Sequence, residues 1–368
     1  MNVGVIRTCA KAHERRLPLH PDHLAKLPGA LKGRLYFEQG YGEPFGLTDA
    51  QVAVDAGGVA SRADLLAAMD AVILLKPSVA DLQALPEGGI LWGWSHAVQQ
   101  RAIAQAAIER KLTLVAFEAM YARGNHVFHR NNRLAGYCAV LHGLSLCGID
   151  GLYGPARRAV VLGFGAAGRG AVQALQALGF QDITVATLER EDELADRPAG
   201  CRFVQIQGTT CVGPAGAEGP LLPLLCEADV LVNAVLQDPL HPITFVSEQE
   251  VACLKPRSLI LDVSCDEGMG FSFARPTTFA APLLAVGHCH YYAVDHTPSY
   301  LWDSASWEIS AALTPYLAEF VRGPEAWQPE GTLGRAIDIE RGHVRNPKIL
   351  AFQGREAAYP HDVKARPG

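Results

Sequence analysis

The sharpest chemical signal in this sequence is Gly163-Phe164-Gly165-Ala166-Ala167-Gly168, a G-x-G-x-x-G run placed directly behind the apolar stretch Ala159-Val160-Val161-Leu162. In that setting the first glycine makes a tight turn, the second lets backbone approach a pyrophosphate, and the third lets the next helix pack on its strand. A helix N-terminus favours phosphate, so Gly163, Gly165, Ala166, Ala167 and Gly168 are candidate dinucleotide-binding residues rather than a merely structural turn. Cofactor choice is then read about 20 residues on, where a carboxylate suits the ribose of NAD and a guanidinium the 2′-phosphate of NADP. Thr187 ends the next strand. Neutral Thr187 and nearby Arg190 lean toward NADP(H), while Glu189 leans toward NAD(H); NADP(H) is the expectation and NAD(H) the alternative. His288-Cys289-His290 invites a metal reading, but in a strand only the two histidines share a face and no third ligand is evident, so no metal is expected. The nine cysteines form no C-x-x-C pair and read as reduced, mostly buried thiols.

These residues need a scaffold. Apolar runs at 3–6, 35–37, 71–75, 90–92 and 114–117 alternate with helical segments such as 63–69 and 102–108, the pattern of a parallel sheet with crossover helices. A long helix over 131–148 marks a domain boundary. Beyond it, runs at 159–162, 183–187, 202–206, 230–232 and 259–263, mostly spaced for intervening helices, predict a second nucleotide-fold sheet. Residues 307–321 form an amphipathic helix that packs back on the first domain despite Pro315. The tail from Gly323 has weak periodicity. With 368 residues, 49% apolar and 19% charged, the chain is long enough for two ordinary domains and excludes a disordered protein. A formal charge of -6 gives no basic field for nucleic acid, and no apolar run approaches a membrane span, so a cytoplasmic protein is expected.

Several segments together resemble the alanine dehydrogenase and transhydrogenase family, and within it most closely the carboxyethylornithine synthase type. They include Gly4-Val5-Ile6-Arg7, Glu14-Arg15-Arg16-Leu17-Pro18-Leu19, Leu74-Leu75-Lys76-Pro77, Trp94-Ser95-His96 and Phe117-Glu118. Later come the glycine run, Asn233-Ala234-Val235-Leu236-Gln237-Asp238, Asp262-Val263-Ser264-Cys265-Asp266, Arg275-Pro276-Thr277-Thr278 and Val294-Asp295-His296-Thr297-Pro298-Ser299. The resemblance implies an α/β protein of two Rossmann-like, doubly wound domains with a cleft between them. The substrate domain would be discontinuous, 1–130 plus 300–368, and the dinucleotide-binding domain would be 131–299. Carried over by position, Arg16 clamps a 2-oxo acid carboxylate, with Arg15 its rival for register. Lys76 contacts the carboxylate or keto oxygen, His96 is the acid/base, and Asp266 holds the cofactor-side geometry. Val235 and Leu236 join the cofactor-binding set. A guanidinium matches a carboxylate with paired donors, and histidine titrates near neutrality, so both roles have a physical basis.

Where alanine dehydrogenases carry an Asn-Met pair, this chain has Asp295-His296-Thr297-Pro298, as in the carboxyethylornithine type. Asp295 is therefore a candidate receiver for the amine of a second substrate. The expected function is NAD(P)H-dependent reduction of the imine formed between a 2-oxo acid such as pyruvate and an amino-acid amine, that of ornithine or lysine. The alternatives are an alanine dehydrogenase-like enzyme using ammonia, a saccharopine dehydrogenase-like enzyme, and a dinucleotide sensor without turnover. The partners expected are these small molecules, with a homo-oligomer implied by the resemblance.

Overall fold

The computed structural model describes residues 1–213, 217–238 and 241–364. By internal contacts the chain divides into two units, Met1–His129 with the segment from Trp302 onward, and Arg130–Leu301.

In the first unit the sheet runs in the order Gly58–Ala60, Leu35–Glu38, Val3–Val5, Ala71–Ile73, Ile90–Gly93 and Thr113–Ala116, all parallel, then Ile337–Glu340 and His343–Val344. The six parallel strands follow the doubly wound order 3-2-1-4-5-6, which places the reversal between Val3–Val5 and Ala71–Ile73. Side chains alternate across this sheet. Val3, Val5, Ala71, Ile73, Trp92 and Val115 enter one apolar cluster, while Val72, Leu74, Leu91 and Leu114 enter the other. Both faces are covered, which is why these strands read as unbroken apolar runs. The helix Trp302–Phe320 supplies Ile309, Leu313, Leu317 and Phe320 to the first cluster, and Phe320 stacks on Trp92 at 4.3 Å.

The tail departs from the sequence reading. Ile337–Glu340 pairs antiparallel with Thr113–Ala116, with a register shift between Ile337 and Ile339. Only four residues long and buried on both faces, it offers no alternation for a sequence pattern to register.

The second unit repeats the winding. Its parallel strands are ordered Cys201–Gln207, Asp182–Thr187, Arg158–Leu162, Val230–Asn233, Leu259–Asp262 and Cys289–Tyr292, with antiparallel strands at both edges. Val161, Val185, Val232 and Leu261 face one cluster, whereas Val160, Leu162, Leu231 and Ile260 face the other. The link between Asp182–Thr187 and Cys201–Gln207 is made of turns rather than the expected helix. The helices His129–Cys147 and Ala166–Ala177 touch backbone to backbone. A Cβ at Gly136 would run into the Ala167 carbonyl, and one at Gly170 into that of Arg133.

The thiols are less buried than expected: Cys138, Cys265 and Cys289 are buried, Cys253 is exposed, and the other five are half-buried. Several of these sit where a helix or strand ends, such as Cys147, Cys201 and Cys226, so the core does not enclose them.

Candidate active site

Every first-unit candidate lies beyond the carboxyl end of a parallel strand, where open α/β sheets place their ligands. The loop after Val3–Val5 carries Arg16, Lys76 follows Ala71–Ile73, His96 follows Ile90–Gly93, and Glu118 follows Thr113–Ala116. A Cβ at Gly93 would collide with the Leu74 carbonyl, so this glycine lets the strand ends bearing Lys76 and His96 close on each other.

They do meet. Lys76 Nζ stands 3.0 Å from His96 Nε2. An ammonium offers only donors, so Nε2 is the acceptor and the neutral imidazole carries its proton on Nδ1. That nitrogen lies 3.9 Å from Glu118 Oε1, and the same oxygen accepts the His96 backbone N–H at 2.6 Å. The bond holds His96 at φ 47°, a left-handed conformation uncommon for a residue other than glycine. Trp94 faces the Lys76 ammonium and the Arg16 guanidinium. Arg16 Cζ lies 5.2 Å and Lys76 Nζ 5.9 Å from its ring, so one indole faces two cations.

Arg16 is 3% exposed and gripped by Glu14 through Nε to Oε1 at 2.8 Å and Nη2 to Oε2 at 2.5 Å. This bidentate pair fixes the plane of the guanidinium. Arg15 goes elsewhere, its Cζ 5.1 Å over the Trp302 ring. Glu14 and Trp94 were not singled out in the sequence, although each stands in a segment quoted there; their role depends on burial, which the segments do not reveal.

Glu118, beside His96, is electrostatically linked to a second carboxyl, Asp338. Although the Glu118 side chain is 29% exposed, its Oε2 is buried and has no hydrogen-bond partner among the described residues. Burial, reinforced by the charge of Asp338, raises the Glu118 pKa to about 7 against the pull of backbone amides and Lys76. Asp338, in the tail strand, is pushed to about 6 by burial, offset by Asn346 Nδ2 at 2.8 Å. A raised carboxyl pKa means that the folded chain holds the proton more tightly than the unfolded one. The Asp338 contribution to stability is therefore fully present below the ordinary value of 3.8, and is lost as pH rises through about 6. Asp338→Asn is expected to gain about 1–3 kcal/mol relative to the parent on moving from pH 4 to pH 8. Urea unfolding at both pH values checks this, and an equal difference at each would contradict it.

In the second unit the glycine run has the geometry a pyrophosphate requires. Gly163 has φ 86° and lies close to Ala234, since a Cβ there would come 2.9 Å from the carbonyl oxygen. A Cβ at Gly168 would overlap the Gly163 carbonyl, so that glycine serves helix packing. At Gly165, by contrast, no described residue beyond its two chain neighbours comes within 4 Å of the Cβ position, and the residue caps Ala166–Ala177 without a side-chain hydrogen bond. A twelve-residue helix thus opens with uncapped amides at Ala166 and Ala167 beneath open space, a fit for phosphate oxygens.

The remaining second-unit candidates also follow strand ends. Thr187 closes Asp182–Thr187, and the amide of Glu189 donates to its hydroxyl at 3.5 Å. Arg190 is held by Asp192 at 3.0 and 3.3 Å. Val235 donates its amide to Asn233 Oδ1 at 3.3 Å, and Leu236 is 87% exposed. Asp266 is half-buried, and burial raises its pKa. Asp295 pairs with His296 Nδ1 at 2.7 Å. His288 lies in the turn before Cys289–Tyr292, where Nε2 donates to the Leu254 carbonyl at 2.8 Å.

Sequence reasoning passed over Asp262, four residues before Asp266. Its carboxylate accepts from Asn233 Nδ2 at 2.9 Å, Cys265 N at 3.1 Å and Tyr291 OH at 2.8 Å, and burial lifts its pKa to about 6. This network ties three strand ends together and holds Cys265 at φ 43°. Thus Arg16, Lys76 and His96 converge in one unit, while the glycine run, Thr187, Val235, Asp266 and Asp295 gather at the strand ends of the other. Among the described residues no helix is long and apolar enough to cross a membrane.

Comparison with known proteins agrees with both halves. The family model "Alanine dehydrogenase/PNT, N-terminal domain" matches residues 4–130, and "Alanine dehydrogenase/PNT, C-terminal domain" matches 138–347. Alanine dehydrogenase of Mycobacterium tuberculosis is 28% identical over 389 residues, covering 99% of this chain and 100% of that protein. N(5)-(carboxyethyl)ornithine synthase of Clostridium botulinum is 24% identical, covering 82% and 92%. A solved L-alanine dehydrogenase superposes with a TM-score of 0.79 at 20% identity, over 96% of this chain and 99% of that one, which establishes the shared two-domain α/β fold. The chain is therefore an oxidoreductase of the alanine dehydrogenase/PNT family.

Proposed function

We propose that this protein reduces the imine formed between a 2-oxo acid such as pyruvate and the side-chain amine of an amino acid such as ornithine or lysine. The observation that carries the reading is the first-unit cluster, in which Lys76 sits 3.0 Å from His96 and shares the Trp94 ring with a buried, oriented Arg16. When bound, a nicotinamide dinucleotide supplies hydride. Arg16 anchors the oxo-acid carboxylate, which aims its carbonyl carbon. Lys76 supports charge on the oxo oxygen as the amine adds, and His96 passes a proton at Nε2 to that oxygen, which leaves as water and yields the imine that accepts the hydride. The glycine loop and Val235, Leu236 and Asp266 hold the dinucleotide, and Asp295 receives the second substrate's ammonium and takes the proton it loses to become the attacking amine. In this reading 1–130 with 300–368 is the substrate domain and 131–299 the dinucleotide-binding domain.

Cofactor choice falls at Thr187 to Arg190. The sequence preference for NADP(H) rests on the neutral Thr187 and on Arg190, yet the Arg190 guanidinium is paired with Asp192 in a stretch that also carries Glu189, Glu191 and Glu193. A 2′-phosphate would meet like charge there, so we assign NAD(H) as the better cofactor and NADP(H) as the poorer.

A second reading, reductive amination of a 2-oxo acid with ammonia, is favoured by the 28% identity to an alanine dehydrogenase. Oxidation of NADH and NADPH with pyruvate or 2-oxoglutarate, each combined with ornithine, lysine or ammonia, tests both. Turnover with pyruvate and ornithine or lysine, at higher kcat/KM for NADH, is expected. Turnover with ammonia alone transfers the assignment to the second reading.

A further inference from the structure

Arg15 and Arg16 are chain neighbours that serve different surroundings. Arg16 is buried against Glu14 and Trp94, whereas Arg15 is exposed and lies over Trp302. The space that Arg15 borders is a cavity of about 580 Å³, within the size range of small-molecule sites. Arg7, Lys11, Glu14, Glu43 and Trp302 also line it. Arg7, Lys11 and Arg15 stand there against Glu14 and Glu43, so the wall carries more cationic than anionic charge and suits a carboxylate. Glu14 belongs to both settings, since its residue lines the cavity and its carboxylate holds Arg16. The cavity therefore adjoins the proposed oxo-acid anchor.

The chemistry of the proposed reaction calls for such a second site. Joining a 2-oxo acid to the side-chain amine of an amino acid yields a secondary amine with two carboxylates, whereas amination by ammonia yields a product with one. We propose that this cavity binds the amino-acid end of the second substrate, with Arg15 as the ligand of its α-carboxylate. A guanidinium stacked on an indole face is held in one plane, which lowers the entropic cost of binding a carboxylate. The inference rests on the function proposed above and adds the recognition that separates an amino acid from ammonia.

The test uses the full-length protein and its Arg15→Gln and Arg15→Lys variants, with pyruvate, NADH and either L-ornithine or 1,4-diaminobutane, which keeps the reacting amine but lacks the carboxylate. For Arg15→Gln the KM for ornithine is expected to rise about 10- to 100-fold, matching the loss of a charge-assisted contact. The KM values for pyruvate and for 1,4-diaminobutane are expected to stay within about two-fold, and Arg15→Lys to recover part of the loss. An unchanged KM for ornithine, or an equal rise for the diamine, overturns the assignment of Arg15 while leaving the proposed reaction standing. Parent enzyme that turns over ammonia but neither ornithine nor lysine overturns the proposed reaction, and this site with it.

Discussion

His96→Asn is expected to lower kcat by about 10²- to 10⁴-fold, the usual cost of losing a positioned acid/base group. Asparagine isolates the chemistry from the fold. It tolerates the left-handed backbone at φ 47° better than most residues, and its amide N–H still reaches Glu118 Oε1. What disappears is the imidazole nitrogen 3.0 Å from Lys76 Nζ. Dinucleotide affinity should be unchanged, because the proposed phosphate cradle is built from the other unit. Steady-state rates, together with NADH binding followed by fluorescence, separate the two quantities. A loss of less than about five-fold would remove His96 from the proton-transfer role.

The second large effect is expected at Arg16. Arg16→Met leaves the Glu14 carboxylate, 1% exposed, without its bidentate partner, and stranding one member of a buried pair costs roughly 3–5 kcal/mol. It also removes the proposed oxo-acid anchor, so kcat/KM for pyruvate should fall by about 10³-fold or more. A companion variant distinguishes the effects. Glu14→Gln combined with Arg16→Met eliminates the stranded charge and should recover most of the lost stability, but none of the activity. Urea unfolding and kcat/KM for both proteins check this. Recovery of activity in the double variant would show that the guanidinium supports only the fold, and failure to recover stability would show that the Glu14 charge is not the source of the cost.

The parts of this molecule that were legible in its sequence are those whose physics is local. Strands buried on both faces announce themselves as apolar runs, as at Ala71–Ile73 and Leu259–Asp262. The glycine loop is likewise local, since its tight turn at Gly163 and the packing contact of Gly168 on the Gly163 carbonyl fall within six residues. The same holds for the helix Trp302–Phe320, whose spaced Ile309, Leu313 and Leu317 pointed to the core they join. What stayed hidden depends on distant burial. Asp338 gains its raised pKa only because a four-residue tail strand docks beside Thr113–Ala116, more than 200 positions away in the chain. Asp262 was passed over in favour of Asp266 because two of its three donors, Asn233 and Tyr291, come from other strands. Which of two adjacent arginines turns inward was also undecidable from spacing. The grip of Glu14 and the Trp94 ring settle it for Arg16.

The central claim is that carbon derived from an oxo acid receives hydride while bonded to an amino-acid nitrogen. The most direct measurement is turnover of pyruvate and ornithine or lysine with NADH deuterated at the transferring position of the nicotinamide C4, followed by mass spectrometry of the product. The account predicts a secondary amine carrying two carboxylates and one deuterium, located on the former carbonyl carbon of pyruvate. Deuterated lactate or alanine as the only reduced product, or dinucleotide binding with no reduced product at all, would contradict it.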